Sequence, residues 1–401
     1  MRLAGQIAAA LAALALADLM VNVYAVALAR PYTAAVDLLP LWLGAKALID
    51  GTDPQDTIFA AANFRQEAMK MRVGGFFNYY PPTASLFLMP PRLLDVSYRE
   101  VVPPVRVAMV VAQAVGIALA AAASSPRGRG AWTLAVALTL TTLVMSTRVS
   151  RIVIPTAQPG SLVVLAAGVG LYALSRGRGL LAGVVIAFGA AIKLAPIALV
   201  LGLLQARRFR DGAVLASVLL GLVALVVATG APFDVVRWVS GLREFVDQPV
   251  LVSRAAREDP ALLWLAQQRI VLPAVATAIV ALLGMFAPPE PRLGAAVGAV
   301  ALGAVALAMA GSHHEHEALL VLPVLAYVAA WPLAEPRSPV AITAAIAMVG
   351  ALVFGDAFRL LVAPDGLRWV GIAWVVFTGA WVRAAGMARE GWVASRRPPA
   401  S

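Results

Sequence analysis

The sequence contains no cysteine and has few charged residues, since only 13% of its 401 residues are Asp, Glu, Lys or Arg. The absence of cysteine excludes a disulfide framework, a thiolate metal site and a cysteine nucleophile. A soluble domain carries about 25% charged and about 45–50% apolar residues, whereas 61% of this chain is hydrophobic. The composition therefore excludes a soluble domain and indicates that lipid surrounds most of the chain.

Motifs of soluble nucleotide chemistry are also missing: there is no Walker phosphate loop, dinucleotide-binding glycine fingerprint or nucleophile elbow in a suitable context. Basic residues exceed acidic ones, 32 to 21, for a formal charge of +11. The excess is dispersed at the ends of apolar runs, as the positive-inside rule and anionic head groups predict. We therefore expect the bilayer as a partner and no nucleic acid.

Apolar runs bounded by Arg, Pro and Gly predict about twelve transmembrane helices. The first run extends from Leu3 to Ala29, and we interpret it as a retained helix rather than a cleaved signal because it is long enough to span the bilayer. The other runs cover residues 105–123, 131–146, 160–175, 180–192, 195–205, 212–230, 268–287, 293–311, 317–332, 339–355 and 369–386. The predicted fold class is all-α, a polytopic membrane protein with one membrane domain over residues 1–401.

Two long stretches, 30–104 and 231–267, are more polar than the runs around them. Within the first, apolar residues at helical spacing over 61–71 predict a juxtamembrane helix, and the apolar segment 81–94 is too short to span and suits a re-entrant element. If segment 81–94 does not cross the membrane, every short Arg-rich loop lies on the same side of it. The positive-inside rule predicts that this side is cytoplasmic. Both termini are then predicted to be cytoplasmic and both long stretches extracytoplasmic.

Asp37 lies in an otherwise apolar stretch soon after the first predicted span. A carboxylate near membrane depth is costly unless it has a partner or a function, and it could act as a general base toward a hydroxyl. A solvated Asp at the start of a helix is the alternative.

Lys193 lies between two short apolar runs and is the only lysine outside the first long stretch. A cation at a break between half-helices suits the binding of a lipid phosphate or diphosphate. Snorkelling of the side chain to the interface explains the position equally well.

The segment from Ser312 to Glu317 contains all three histidines, His313, His314 and His316. His313 and Glu317 have the i, i+4 spacing that two metal ligands on a helix need, but no second cluster supports a metal. We therefore expect no metal and no cofactor, and favour a polar cluster that binds substrate hydroxyls or phosphate or assists proton transfer. An unspecialised solvated turn is the alternative.

Two aromatic residues, Tyr79 and Tyr80, precede Pro81 and Pro82, and Arg254 lies in the second long stretch. The tyrosines could stack on a sugar or anchor in lipid head groups. Arg254 could bind a phosphate or a head group.

The ordered set of motifs resembles glycosyltransferase family 87. It comprises Asp37-(x)4-Trp42-x-Gly44-Ala45, Gly51-x-Asp53-Pro54, Tyr80-Pro81-Pro82, Gln158 before an apolar helix, Ala190-Ala191-Ile192-Lys193-Leu194-x-Pro196, and His316 before an apolar run that ends at Pro323. The family belongs to the GT-C class and includes the mycobacterial polyprenol-phosphomannose-dependent α-1,2-mannosyltransferases of phosphatidylinositol mannoside synthesis. The resemblance runs from about Asp37 to Pro323.

The resemblance implies a GT-C fold and inverting transfer of a sugar, with mannose expected, from a polyprenyl-phosphate donor to a lipid-linked or glycan acceptor on the extracytoplasmic face of a bacterial plasma membrane. Asp37 would be the catalytic base and Lys193 would lie at the donor phosphate. Tyr80 would shape the pocket that Gln158 and His316 line. The main alternative is a secondary transporter, for which Asp18 and Asn22 in the first helix would be the midplane site. A non-catalytic lipid-binding subunit is a third interpretation.

Overall fold

The computed structural model describes residues 2–54, 80–125, 130–232, 240, 268–309, 319–334 and 365–395, with side chains described from residue 3 and, in the last segment, from residue 371. This part of the chain consists of helices and their connections and contains no strand. The all-α prediction is therefore confirmed for the described residues. The predicted juxtamembrane helix over 61–71 lies outside them.

The α-helices are numbered in chain order. They are α1 (Arg2–Leu19), α2 (Ala25–Leu28), α3 (Leu39–Ile49), α4 (Pro82–Ser85), α5 (Met89–Leu93), α6 (Tyr98–Ser124), α7 (Gly130–Met145), α8 (Arg148–Ile152), α9 (Gly160–Ser175), α10 (Gly179–Ile192), α11 (Val200–Gln205), α12 (Phe209–Ala228), α13 (Val271–Phe286), α14 (Pro291–Met309), α15 (Val321–Ala334) and α16 (Asp365–Ser395). A π-helical turn, Met20–Tyr24, joins α1 to α2, and short 3-10 helices cover Tyr32–Ala34, Leu86–Leu88 and Ala195–Leu199.

Five helical segments in the described chain are long and apolar enough to cross a bilayer, which makes the protein a membrane protein. They are Leu3–Leu28, Tyr98–Ser124, Phe209–Ala228, Pro291–Met309 and Gly371–Ser395. The other predicted runs within the described chain carry shorter apolar helices of 10–17 residues, and the run 339–355 lies outside it. The total of about twelve spans therefore stays a prediction.

Helices α6 and α9 pack closely against each other. A Cβ added at Gly168 would lie 1.9 Å from the carbonyl oxygen of Gly116, and one added at Gly116 would lie 2.5 Å from the carbonyl oxygen of Val164. Glycine at both positions lets the backbones touch, as small residues do in membrane helix pairs. The pair therefore fixes the distance between the segments that lead into each helix.

Hydrogen bonds join the connections between described helices at each of the two ends of the bundle. At one end, Arg176 donates to the carbonyl oxygen of Ala122, and Gln205 donates to that of Gly284. At the other end, the backbone N–H of Asp37 bonds to Thr156, and Thr83 bonds to Ala191. Among the described residues, the Arg-rich loops 176–178 and 207–208 thus share one end, and the segments that carry Asp37, Gln158 and Lys193 share the other.

Candidate active site

Asp37 lies in the turn Val36–Leu38, immediately before α3. Leu38 is the N-cap of the helix and Pro40 occupies one of its first positions, where the missing N–H costs nothing. The side chain is half-buried, and within the described part of the chain its carboxylate has no hydrogen-bond or ion-pair partner.

Hydrogen bonds join the Asp37 turn and its neighbouring residue Ala35 to two other parts of the chain. Its own backbone N–H donates to the carbonyl oxygen of Thr156 at 3.0 Å. The hydroxyl of Tyr98, in the first turn of α6, donates to the carbonyl oxygen of Ala35. The Tyr98 ring packs against buried Trp42 of α3 with 5.8 Å between ring centroids. The turn is therefore bonded to the loop before α9 and to α6.

Gln158 ends that loop and is 2% exposed. Its Oε1 accepts a hydrogen bond from the backbone N–H of Gly160 at 2.8 Å and from the hydroxyl of Tyr80 at 3.1 Å. Ala157 has a positive φ of 53°, a conformation that is uncommon for a residue with a side chain. Gln158 thereby joins the start of α9 to the Tyr80-Pro81-Pro82 segment, 78 residues earlier in the chain.

Lys193 follows the last residue of α10 in an extended conformation, with φ −156° and ψ 130°. The chain resumes at Ala195 as a 3-10 helix, so the break expected around Lys193 is present. The side chain is half-buried, and the carboxyl end of α10 favours a cation. Thr83 of α4 donates to the carbonyl oxygen of Ala191 at 2.7 Å and so joins the Pro81-Pro82 segment to this break.

One apolar cavity of about 160 Å³ lies where these segments meet, and we call it the Asp37 cavity. Three of its lining residues, Leu38, Pro159 and Ile192, are the direct chain neighbours of Asp37, Gln158 and Lys193. Its remaining lining residues are Leu41, Ala84, Phe87, Leu88, Val105, Ala108, Met109 and Leu162. Chain neighbours of three candidate residues from distant parts of the chain thus line one cavity, while Asp37, Gln158 and Lys193 themselves are not among its lining residues.

The other candidate residues lie outside the described part of the chain: Tyr79, Arg254, His313, His314 and His316. Among the described residues, no group of three or more His, Cys, Asp or Glu side chains is arranged to hold a metal ion. Asp18 and Asn22, the only hint of a transporter site in the sequence, bond to each other at 2.6 Å on the exposed face of the first helix. They do not form a site inside the bundle.

Sequence reasoning missed Arg106, which is 1% exposed and donates to backbone carbonyl groups on both segments next to the cavity. The available signal was a charged residue inside an apolar run, soon after Pro103 and Pro104.

Comparison with known families identifies the chain. The model of glycosyltransferase family 87 matches residues 77–320, which is more than half of the sequence. The chain belongs to glycosyltransferase family 87. The family predicted from the ordered motifs is thereby confirmed, and the protein is a membrane glycosyltransferase that uses a sugar donor and an acceptor. No curated protein and no solved structure matches the chain.

The family-87 match contains Tyr80, Gln158 and Lys193 but begins after Asp37. The hydrogen bond from Asp37 to Thr156 therefore links the Asp37 turn to the matched region.

Proposed function

We propose that this family-87 glycosyltransferase transfers a mannosyl group from a polyprenyl-phosphate donor to a hydroxyl of a lipid-linked or glycan acceptor. The acceptor oxygen forms a bond to the anomeric carbon while the bond from that carbon to the phosphate oxygen breaks. The acceptor proton passes to Asp37, and polyprenyl phosphate leaves. Attack from the face opposite the phosphate inverts the configuration at the anomeric carbon.

The role of general base falls to Asp37. A base must be able to accept a proton, and the Asp37 carboxylate has no ion-pair or hydrogen-bond partner within the described chain. By contrast, Asp50 at the other end of α3 forms an ion pair with Lys46. Half-burial leaves the Asp37 carboxylate accessible to a hydroxyl group, while the turn that carries it is fixed by backbone hydrogen bonds.

The leaving phosphate requires positive charge to offset the charge that grows on it during bond cleavage. Lys193 carries that charge at the break after α10, next to the cavity. A lysine together with other basic groups can perform this role, so the proposed reaction requires no metal and no cofactor.

The donor also carries a long apolar chain. The Asp37 cavity is apolar, and it lies beside Asp37 and Lys193. A volume of about 160 Å³ accommodates only a few carbon atoms, so it fits the first isoprenoid unit next to the phosphate, with the rest of the chain in the bilayer. The convergence on this cavity of the segments that carry Asp37, Gln158 and Lys193 is the single observation that supports the proposal.

The proposed orientation of the protein in the membrane is based on the positive-inside rule. The described Arg-rich loops 176–178 and 207–208 share one end of the bundle and the Asp37 cavity lies at the other, which supports a cytoplasmic location of the first end and an extracytoplasmic location of the cavity. The same rule supports a cytoplasmic location of both termini. We propose a GT-C architecture because family 87 belongs to that class.

The test uses purified protein in lipid nanodiscs with a lipid-extract acceptor and one labelled donor at a time: polyprenyl-phosphate mannose, glucose or arabinose. We expect label to enter the lipid product from the mannose donor, and α-mannosidase to release it. Transfer from only another donor would replace mannose in the proposal. In sealed proteoliposomes, label that crosses the membrane without entering a product would instead support a transporter.

A further inference from the structure

Arg106 lies on α6 within a candidate membrane span, and its side chain is 1% exposed. A buried guanidinium group is costly unless it is paired, and buried arginines usually meet a carboxylate. Within the described chain, Arg106 has no carboxylate partner. An ion pair within the described chain therefore does not explain why an arginine occupies this buried position.

The partners of the Arg106 guanidinium group are backbone carbonyl groups instead of a carboxylate. Nη1 donates to the carbonyl oxygen of Arg30, and Nη2 donates to those of Pro31, at 3.0 Å, and Pro155. These acceptors lie 49 to 76 residues from Arg106 in the sequence. They belong to two separate segments, and the carbonyl oxygen of Pro31 also accepts a hydrogen bond from the backbone N–H of Ala34 at 3.0 Å.

Both segments continue into the candidate active site. Pro31 begins the stretch that reaches Asp37, and Pro155 begins the stretch that reaches Gln158. The two stretches bond directly through Asp37 and Thr156. Arg106 therefore ties together the segments that carry the proposed base and the loop opposite it, while Val105 of the same turn lines the Asp37 cavity.

We propose that Arg106 is a positioning residue for the glycosyl transfer, one that sets the Asp37 turn against the Gln158 loop without touching the substrate. This inference rests on the proposed role of Asp37. The planar guanidinium group of arginine has N–H donors in fixed directions, so it can bond to carbonyl groups of two segments at once. The single ammonium group of a lysine lacks that geometry. A shift of about 1 Å in a catalytic group is enough to reduce a rate about 100-fold.

The test compares Arg106→Lys with Arg383→Lys. Arg383 is a matched control because it is also buried, at 6% exposure, and donates to the backbone carbonyl and side-chain hydroxyl of Ser124. Ser124 ends α6 at the opposite end of the bundle from Asp37. Both variants lose one buried guanidinium group, but only Arg106→Lys loses a link to the segment that leads to the Asp37 turn.

For Arg106→Lys we expect kcat to fall about 10–100-fold per folded molecule, while the KM for the donor changes by less than about twofold. Hydrogen–deuterium exchange should become faster over residues 31–38. Arg383→Lys should leave both quantities at the wild-type value. Equal exchange over 31–38 in wild type and Arg106→Lys, or an equal loss of kcat in both variants, would overturn the proposal.

Tyr98→Phe provides a second variant if Arg106→Lys does not fold. It removes the hydrogen bond to Ala35 and retains the ring beside Trp42. We expect the same direction of change in kcat and in exchange over 31–38, and no change in either would contradict the inference. The exchange measurement does not depend on turnover, so it tests the positioning role even if wild-type protein transfers no sugar and the proposed function fails.

Discussion

The backbone N–H of Asp37 donates a hydrogen bond to the carbonyl oxygen of Thr156 at 3.0 Å. This bond joins the turn after the first helix to the loop that presents Gln158, and both are next to the Asp37 cavity. The bond fixes the backbone of Asp37, while within the described chain its carboxylate has no hydrogen-bond or ion-pair partner.

Replacement of Lys193 should impair donor binding. Lys193→Met removes the cation next to the cavity, and we expect the KM for the donor to rise about 10–100-fold, the equivalent of one charge-assisted hydrogen bond. Lys193→Arg should retain most of the affinity because it keeps the charge.

Initial rates at varied donor concentration measure this effect. Lys46→Met is the control, because Lys46 forms an ion pair with Asp50 on α3. If Lys193→Met and Lys46→Met have the same KM, Lys193 does not bind the donor phosphate.

Filling the Asp37 cavity should select against isoprenoid donors. Ala108→Phe adds an aromatic ring at a lining position, so it competes with the first isoprenoid unit for about 160 Å³ of space. We expect a larger rise in KM for a long-chain donor than for a donor analogue with a short, unbranched chain.

The control is Val107→Phe, a change at the adjacent exposed position, which does not line the cavity. Equal effects of Ala108→Phe on both donors would indicate that the isoprenoid chain binds elsewhere.

The α6–α9 contact should be intolerant of any side chain. Gly168→Ala would put a Cβ 1.9 Å from the carbonyl oxygen of Gly116, and overpacking of this kind costs about 1–3 kcal/mol. We expect a lower midpoint of thermal unfolding in detergent, together with a loss of transfer because the site segments lie on this pair.

Gly212→Ala is the matched control, since an added Cβ there meets no atom within 4 Å. Alanine is the better helix former, so this variant should be at least as stable as the wild type. A Gly168→Ala variant as stable as Gly212→Ala would show that α6 and α9 do not pack so closely.

The membrane class and the break at Lys193 could be predicted from the sequence because both depend on local composition. Apolar runs reveal helices in lipid, and Lys193 with Pro196 between two short runs indicates an interruption. The family could also be predicted, since its motifs keep their order along the chain.

The contacts that hold the site could not be predicted in the same way. Tyr80 meets Gln158 across 78 residues, and Arg106 bonds to carbonyl groups 49 to 76 residues away. Helical periodicity reports which face of one helix is apolar but not which distant backbone group faces a given side chain. The number of spans could not be settled because several described helices have only 10–17 residues.

The most direct test of the account compares Asp37→Asn with Asp50→Asn in sugar transfer from polyprenyl-phosphate mannose. The two residues flank the same helix, but Asp50 is ion-paired with Lys46. Loss of a general base lowers the reaction rate about 100–10,000-fold. At equal protein level, the transfer rate of Asp37→Asn should fall by that factor, whereas that of Asp50→Asn should remain close to the wild-type rate. Transfer by Asp37→Asn at the wild-type rate would contradict the central claim that Asp37 is the base.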